Sequence, residues 1–163
     1  MLLENLKSIV IQTHQQIVQS SHVIITLGTS WVYRLLETGN IVANCHKKPQ
    51  KEFLKELLSV EEVSESLGTI MALIKSVNPN ASIIFTVSPV RHLKDGFIEN
   101  TQSKSHLISA VHEVVAPRNN IYYFPSYELM MDELRDYRFY KDDMIHPNQL
   151  AINYIWDKFK SIW

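Results

Sequence analysis

Short apolar runs alternate with longer stretches whose apolar residues recur at helical spacing. Leu2, Leu3, Leu6, Ile9, Val10, Ile17 and Val18 mark an opening helix, residues 2–19, expected to pack one face on a sheet. The β-branched run His22–Leu27 follows and stops at Gly28; it reads as a strand covered on both faces. Residues 31–36 and 41–44, around a turn at Gly39-Asn40, predict a hairpin inserted after that strand. Residues 51–58 have helical character. Ser59-Val60-Glu61-Glu62 is a capping box opening a longer helix, with Val63, Leu67, Ile70, Met71 and Ile74 as its buried stripe and Asn78-Pro79-Asn80 as its end.

The second half repeats the pattern. Ser82–Val87 is a buried strand closed by Ser88-Pro89, and a polar loop runs over residues 91–96. Leu107, Ile108, Val111, Val114 and Val115 define a helix over about residues 100–115. A third strand covers residues 120–124, a helix 127–135, an aromatic packing loop 137–140, and a final helix 147–159. Helices and strands in this alternation imply right-handed crossovers and a parallel sheet, hence one α/β domain over residues 1–163 with a small β-hairpin insert.

Composition narrows the function classes. The 163 residues carry a net charge of −1, so no basic excess argues for nucleic acid. No apolar run is long enough to span a bilayer, and the N-terminus lacks a basic region followed by an apolar core. The single cysteine, Cys45, cannot form an intrachain disulfide. Together these point to the cytoplasm.

The candidate chemistry centres on Asp143-Met144-Ile145-His146-Pro147. An aspartate three residues before a histidine suits the supporting members of a hydrolytic triad: Asp143 orients the imidazole and His146 serves as base. Pro147 suits the first position of the final helix. The plain alternative makes His146 a helix cap and Asp143 a surface acid. Location favours the chemistry, because ligands of open parallel sheets bind beyond the carboxyl ends of the strands. Gly28-Thr29-Ser30 and Ser88-Pro89-Val90-Arg91-His92 end two strands on that rim, and the Asp143/His146 loop follows the third.

Gly28 allows a sharp turn whose N–H groups, with the Ser30 hydroxyl, would line an oxyanion hole. Arg91 and His92 would bind an anionic or carbonyl group, or else form a solvated loop. Cys45 beside His46 suggests a Cys–His nucleophile, against a small buried cysteine and a pocket-rim histidine. Cys45, His46, His92 and His146 match no metal-ligand spacing, and no cofactor is indicated.

Four motifs in order carry a family likeness: residues 26–33 (TLGTSWVY), 42–47 (VANCHK), 86–92 (TVSPVRH) and 143–147 (DMIHP). They resemble the bacterial GSCFA family, which is related to the SGNH (GDSL-like) hydrolases. The resemblance implies a flavodoxin-like three-layer α/β/α fold and hydrolysis of a small-molecule or glycan ester. Asp143 and His146 match the C-terminal DxxH of that superfamily, and Ser88, Arg91, His92 and His46 would line the pocket. Gly28-Thr29-Ser30-Trp31 falls where a Gly-x-Asn-Asp block supplies an oxyanion donor, with Ser30 in place of the asparagine and Trp31 in place of the aspartate. The Gly-Ser-Cys-Phe-Ala motif that should carry the nucleophile does not occur. The chain therefore reads as a C-terminal portion or a short form, with its serine nucleophile expected upstream; an internal substitute would be Ser30, Ser88 or Cys45. By resemblance the sheet order is 2-1-3-4-5; without its first two strands His22–Leu27 becomes an edge, which predicts either that a missing segment is supplied in the natural protein or that the chain self-associates there. A non-catalytic binding or interaction module is the alternative function.

Overall fold

Three of the apolar runs lie side by side in the computed structural model, which describes residues 2–45 and 47–163. Strand β1 (His22–Leu27) pairs in parallel with β5 (Ser82–Val87), and β5 with β6 (Ile121–Phe124), in the order β1-β5-β6. Register pairs Val23 with Ile83 and Ile83 with Ile121, so side chains of one parity share a face across all three strands. One face carries Val23, Ile25, Leu27, Ile83, Phe85, Val87, Ile121 and Tyr123. Helices α2 (Val60–Val77) and α3 (Phe97–Val114) cover it with Val63, Leu67, Ile74, Leu107, Ala110 and Val111. The opposite face meets α5 (Gln149–Lys160), where Phe124 packs edge-on against Phe159, ring centres 5.1 Å apart. The molecule is therefore a three-layer α/β fold with a parallel sheet at its centre.

Local signals explain the helix boundaries. Ser59 Oγ accepts from the Glu62 N–H at 3.2 Å, and Glu62 Oε2 accepts from the Ser59 N–H at 2.8 Å, completing the expected capping box of α2. Helix α5 is capped by Asn148, whose side chain accepts from the Ala151 N–H at 3.1 Å. Pro147 is thus not the first helical residue. It lies two positions earlier, in an antiparallel bridge with Tyr140.

The insert differs from a hairpin. Strands β2 (Trp31–Leu35) and β3 (Ile41–Val42) pair as expected, but residues 53–57 are not helical: Phe53–Leu57 forms β4, antiparallel to β2. Leucine, lysine and glutamate favour helix there by propensity, but cross-strand contacts outweigh it. Phe53 meets the Tyr33 ring edge-on, and Arg34 Nε donates to Glu56 Oε1 at 2.7 Å. Lys55 pairs with Asp95, tying the insert to the loop before α3.

Helix α1 (Leu2–Gln19) forms as expected, but its packing does not follow. None of its residues is buried, and Leu3, Leu6, Ile9 and Val10 are exposed. Its end is anchored: Ile17 packs on the central cluster, and the Asn78 carboxamide donates to the carbonyls of Ile17 at 2.9 Å and Ser20 at 2.8 Å. Asn78 Oδ1 also accepts from the Ala81 N–H at 3.1 Å, which joins the end of α2 to the start of β5. Because these groups are shielded from water, Asn78→Ala is expected to cost about 1–3 kcal/mol of stability in urea unfolding of the 163-residue chain. A loss below about 0.5 kcal/mol would show that water replaces those bonds freely.

The remaining element, residues 126–133, departs from an ordinary helix. One α turn, α4 (Ser126–Glu128), passes into a π-helical turn, Leu129–Glu133. No helix among the described residues is long and apolar enough to cross a membrane.

Candidate functional site

The turn after β6 and α4 brings Asp143 and His146 together. Asp143 Oδ1 accepts from the main-chain N–H groups of Ile145 at 2.8 Å and His146 at 2.9 Å. Oδ2 lies 2.7 Å from Nδ1 of His146. The His146 N–H, then its imidazole, then the Ile145 N–H hold the Asp143 carboxyl down at about 2. An ionised carboxylate only accepts, so the proton between them belongs to Nδ1 and the lone pair to Nε2. Both side chains remain roughly half exposed. Among the described residues, His146 makes no other side-chain hydrogen bond.

Arg91 latches this turn from the neighbouring strand end. Its N–H donates to the Ile145 carbonyl at 3.2 Å, and its Nη1 donates to the Met144 carbonyl at 2.9 Å. The guanidinium also lies over the rings of Phe97, Tyr140 and Tyr137, 5.5–6.0 Å from their centres. Met144 occupies the left-handed region at φ 55°, which is uncommon for a long side chain and needs such restraint. Arg91 therefore orders the turn that carries Asp143 and His146, where its residue type had suggested a substrate anion.

The Gly28 turn is built differently from its expected design. Gly28 is absent from the left-handed region. The turn does lie close to His92: a Cβ at residue 28 would stand 3.4 Å from His92 Nε2, in ordinary contact with it. Ser30 is 1% exposed, and its N–H donates to Ser103 Oγ at 2.8 Å. Its hydroxyl faces the Ser103 carbonyl at 3.2 Å, and its own carbonyl accepts from the Leu58 N–H at 3.0 Å. Thr29 Oγ1 also meets Ser103 Oγ, at 2.9 Å. The loop is thus fastened to α3, and the polar groups of Ser30 are occupied.

Ser88 donates its N–H to the Leu27 carbonyl at 2.8 Å, while its hydroxyl accepts from the Val90 N–H at 3.2 Å. His92 stands beside the Gly28 turn, its main-chain N–H held by Asn100 Oδ1 at 2.8 Å. His46 lies outside the described residues. Cys45 is half-buried in the loop after β3, where its carbonyl accepts from the Lys48 N–H at 2.9 Å. Among the described residues no cluster of three potential ligands could hold a metal ion.

One residue escaped the sequence reading altogether. Lys104 of α3 is 2% exposed, and its Nζ donates to the carbonyls of Gly28 and Ser88, both at 2.7 Å. It thereby ties the ends of β1 and β5 to each other, and burial pulls its ammonium down to about 8. The signal was present. Asn100, Ser103, Lys104, Leu107 and Val111 share one helical phase, so the apolar stripe of α3 continues toward its N-terminus as a polar one.

The GSCFA family model matches residues 1–159. The chain belongs to the GSCFA family. The matched residues take in all four sequence motifs and also α1. No curated protein matches the chain.

Proposed function

We propose that this GSCFA-family protein is an ester hydrolase of SGNH type, acting on a small-molecule or glycan ester. The observation that carries this reading is the Asp143–His146 pair: a carboxylate 2.7 Å from Nδ1 leaves Nε2 basic and half exposed at the sheet's carboxyl rim. In the reaction, Nε2 takes the proton of a serine hydroxyl as its oxygen attacks the ester carbonyl. The tetrahedral intermediate collapses, and the leaving alkoxide recovers that proton from Nε2. Water then repeats the sequence on the acyl-enzyme. The nucleophile is a serine encoded upstream of these residues; among the described ones, no hydroxyl or thiol hydrogen-bonds His146. Protein expressed from its genomic reading frame should label with a fluorophosphonate at one serine and lose the label in His146→Ala. Absence of both labelling and ester turnover would reject the proposal.

A second reading concerns assembly. The outer edge of β1 is unpaired among the described residues and carries no Lys, Glu, Asp or Pro to discourage pairing. On this reading the pocket is kept without chemistry, and the 163-residue chain self-associates along that edge. Concentration-dependent sedimentation that Ile24→Lys makes monomeric supports it; a monomer at all concentrations rejects it.

A further inference from the structure

The proposed hydrolysis needs a donor for the negative oxygen of the tetrahedral intermediate. Ser30, which occupies the expected place, cannot serve: Ser103 engages its N–H and hydroxyl, and it is sealed from the surface. His92 is differently placed. Its Nε2 leans over the Gly28 turn, within 3.4 Å of where a Cβ on residue 28 would stand. Among the described residues its imidazole makes no hydrogen bond, while its backbone is fixed by Asn100. Resting on the ester-hydrolase reading, the geometry points to His92 as the catalytic side chain that donates to the oxyanion, with Asn100 and Lys104 as its positioning residues.

Asn100 and Lys104 are one helical turn apart on the buried face of α3. The first anchors the His92 backbone; the second joins the carbonyls of Gly28 and Ser88, fixing the Gly28 turn that the ring stands beside. The charges facing His92 come from three elements. Burial first, then the Lys104 ammonium of α3, lower its basicity; Asp95 of the preceding turn opposes them, and His146 of the catalytic loop adds to them. His92 is therefore neutral at neutral pH. A neutral imidazole still carries one N–H, so it donates without setting a second cation beside His146 as that residue takes up its proton. Protonation transfer and donation thus fall to different histidines, and no proton leaves His92 during the cycle.

Two measurements test this. In the 163-residue chain, ¹⁵N-detected histidine spectra should show His92 neutral at pH 7 with its proton on Nε2, titrating below an ordinary histidine. Lys104→Met should raise that midpoint by roughly half a unit or more. An Nδ1–H tautomer, a charged ring at pH 7, or a midpoint unmoved in Lys104→Met overturns the assignment. In protein from the genomic reading frame, His92→Phe should lower kcat on p-nitrophenyl acetate about a hundredfold with little change in KM. His92→Gln, which retains an N–H donor, should recover part of that loss. Dependence on Asp143 together with indifference to His92 overturns this inference alone. Absence of turnover in every form rejects the hydrolase reading, and this inference falls with it.

Discussion

Asp143→Asn is expected to lower kcat for ester hydrolysis about a thousandfold to ten-thousandfold. The reason lies in which end of the carboxamide fits. The N–H groups of Ile145 and His146 both point at Oδ1, so the amide oxygen must occupy that position. The amide NH₂ then replaces Oδ2 and faces His146 Nδ1, where a donor meets a donor. The imidazole moves its proton to Nε2 and loses the lone pair that the nucleophile needs. Steady-state kinetics on p-nitrophenyl acetate would show the fall in kcat, and histidine NMR of the 163-residue chain would show the tautomer change. A variant within threefold of the parent would remove Asp143 from the mechanism.

The same contacts govern acid behaviour. A carboxyl lowered in the folded state stabilises the turn above the ordinary carboxylate range. That contribution fades as pH falls from about 4 toward about 2. In a ¹³C titration Asp143 should therefore have its midpoint at about 2. His146→Ala should move the midpoint only part of the way back, because the main-chain N–H of residue 146, the largest cause, survives the substitution.

Arg91→Ala should reduce kcat roughly tenfold to a hundredfold while leaving KM nearly unchanged. The substitution keeps the main-chain bond to Ile145 but deletes the one to the Met144 carbonyl and the guanidinium among the three rings. Met144 can then leave its left-handed conformation, and His146 loses its fixed bearing. The split between constants separates two roles. If Arg91 bound a substrate anion, KM would rise and kcat would hold.

Much of the molecule was legible from pattern. The three short apolar runs became the parallel sheet, and the Ser59–Glu62 box became a helix start, because buried strands and caps leave local signatures. Residues 53–57 were not legible: their composition favours helix, and only a partner strand more than fifteen residues away in the chain overrides it. The packing of α1 was misread because amphipathic spacing announces an apolar stripe without saying what covers it. At the site, the DxxHP spacing located Asp143 and His146. Arg91 and Lys104 act through carbonyls distant in sequence, and carbonyls leave no trace in residue identity.

Helix α3 sets a limit on how this protein can be hardened. A redesign for thermal stability would target its buried polar residues, since Ser103→Ala and Lys104→Leu remove groups that are costly to dehydrate. Yet those residues are what the loops at the ends of β1 and β5 are fastened to. An oilier α3 would leave the Ser30 N–H and the Gly28 and Ser88 carbonyls without their partners, so what dehydration spares would be offset by groups left unpaired, and the rim would loosen.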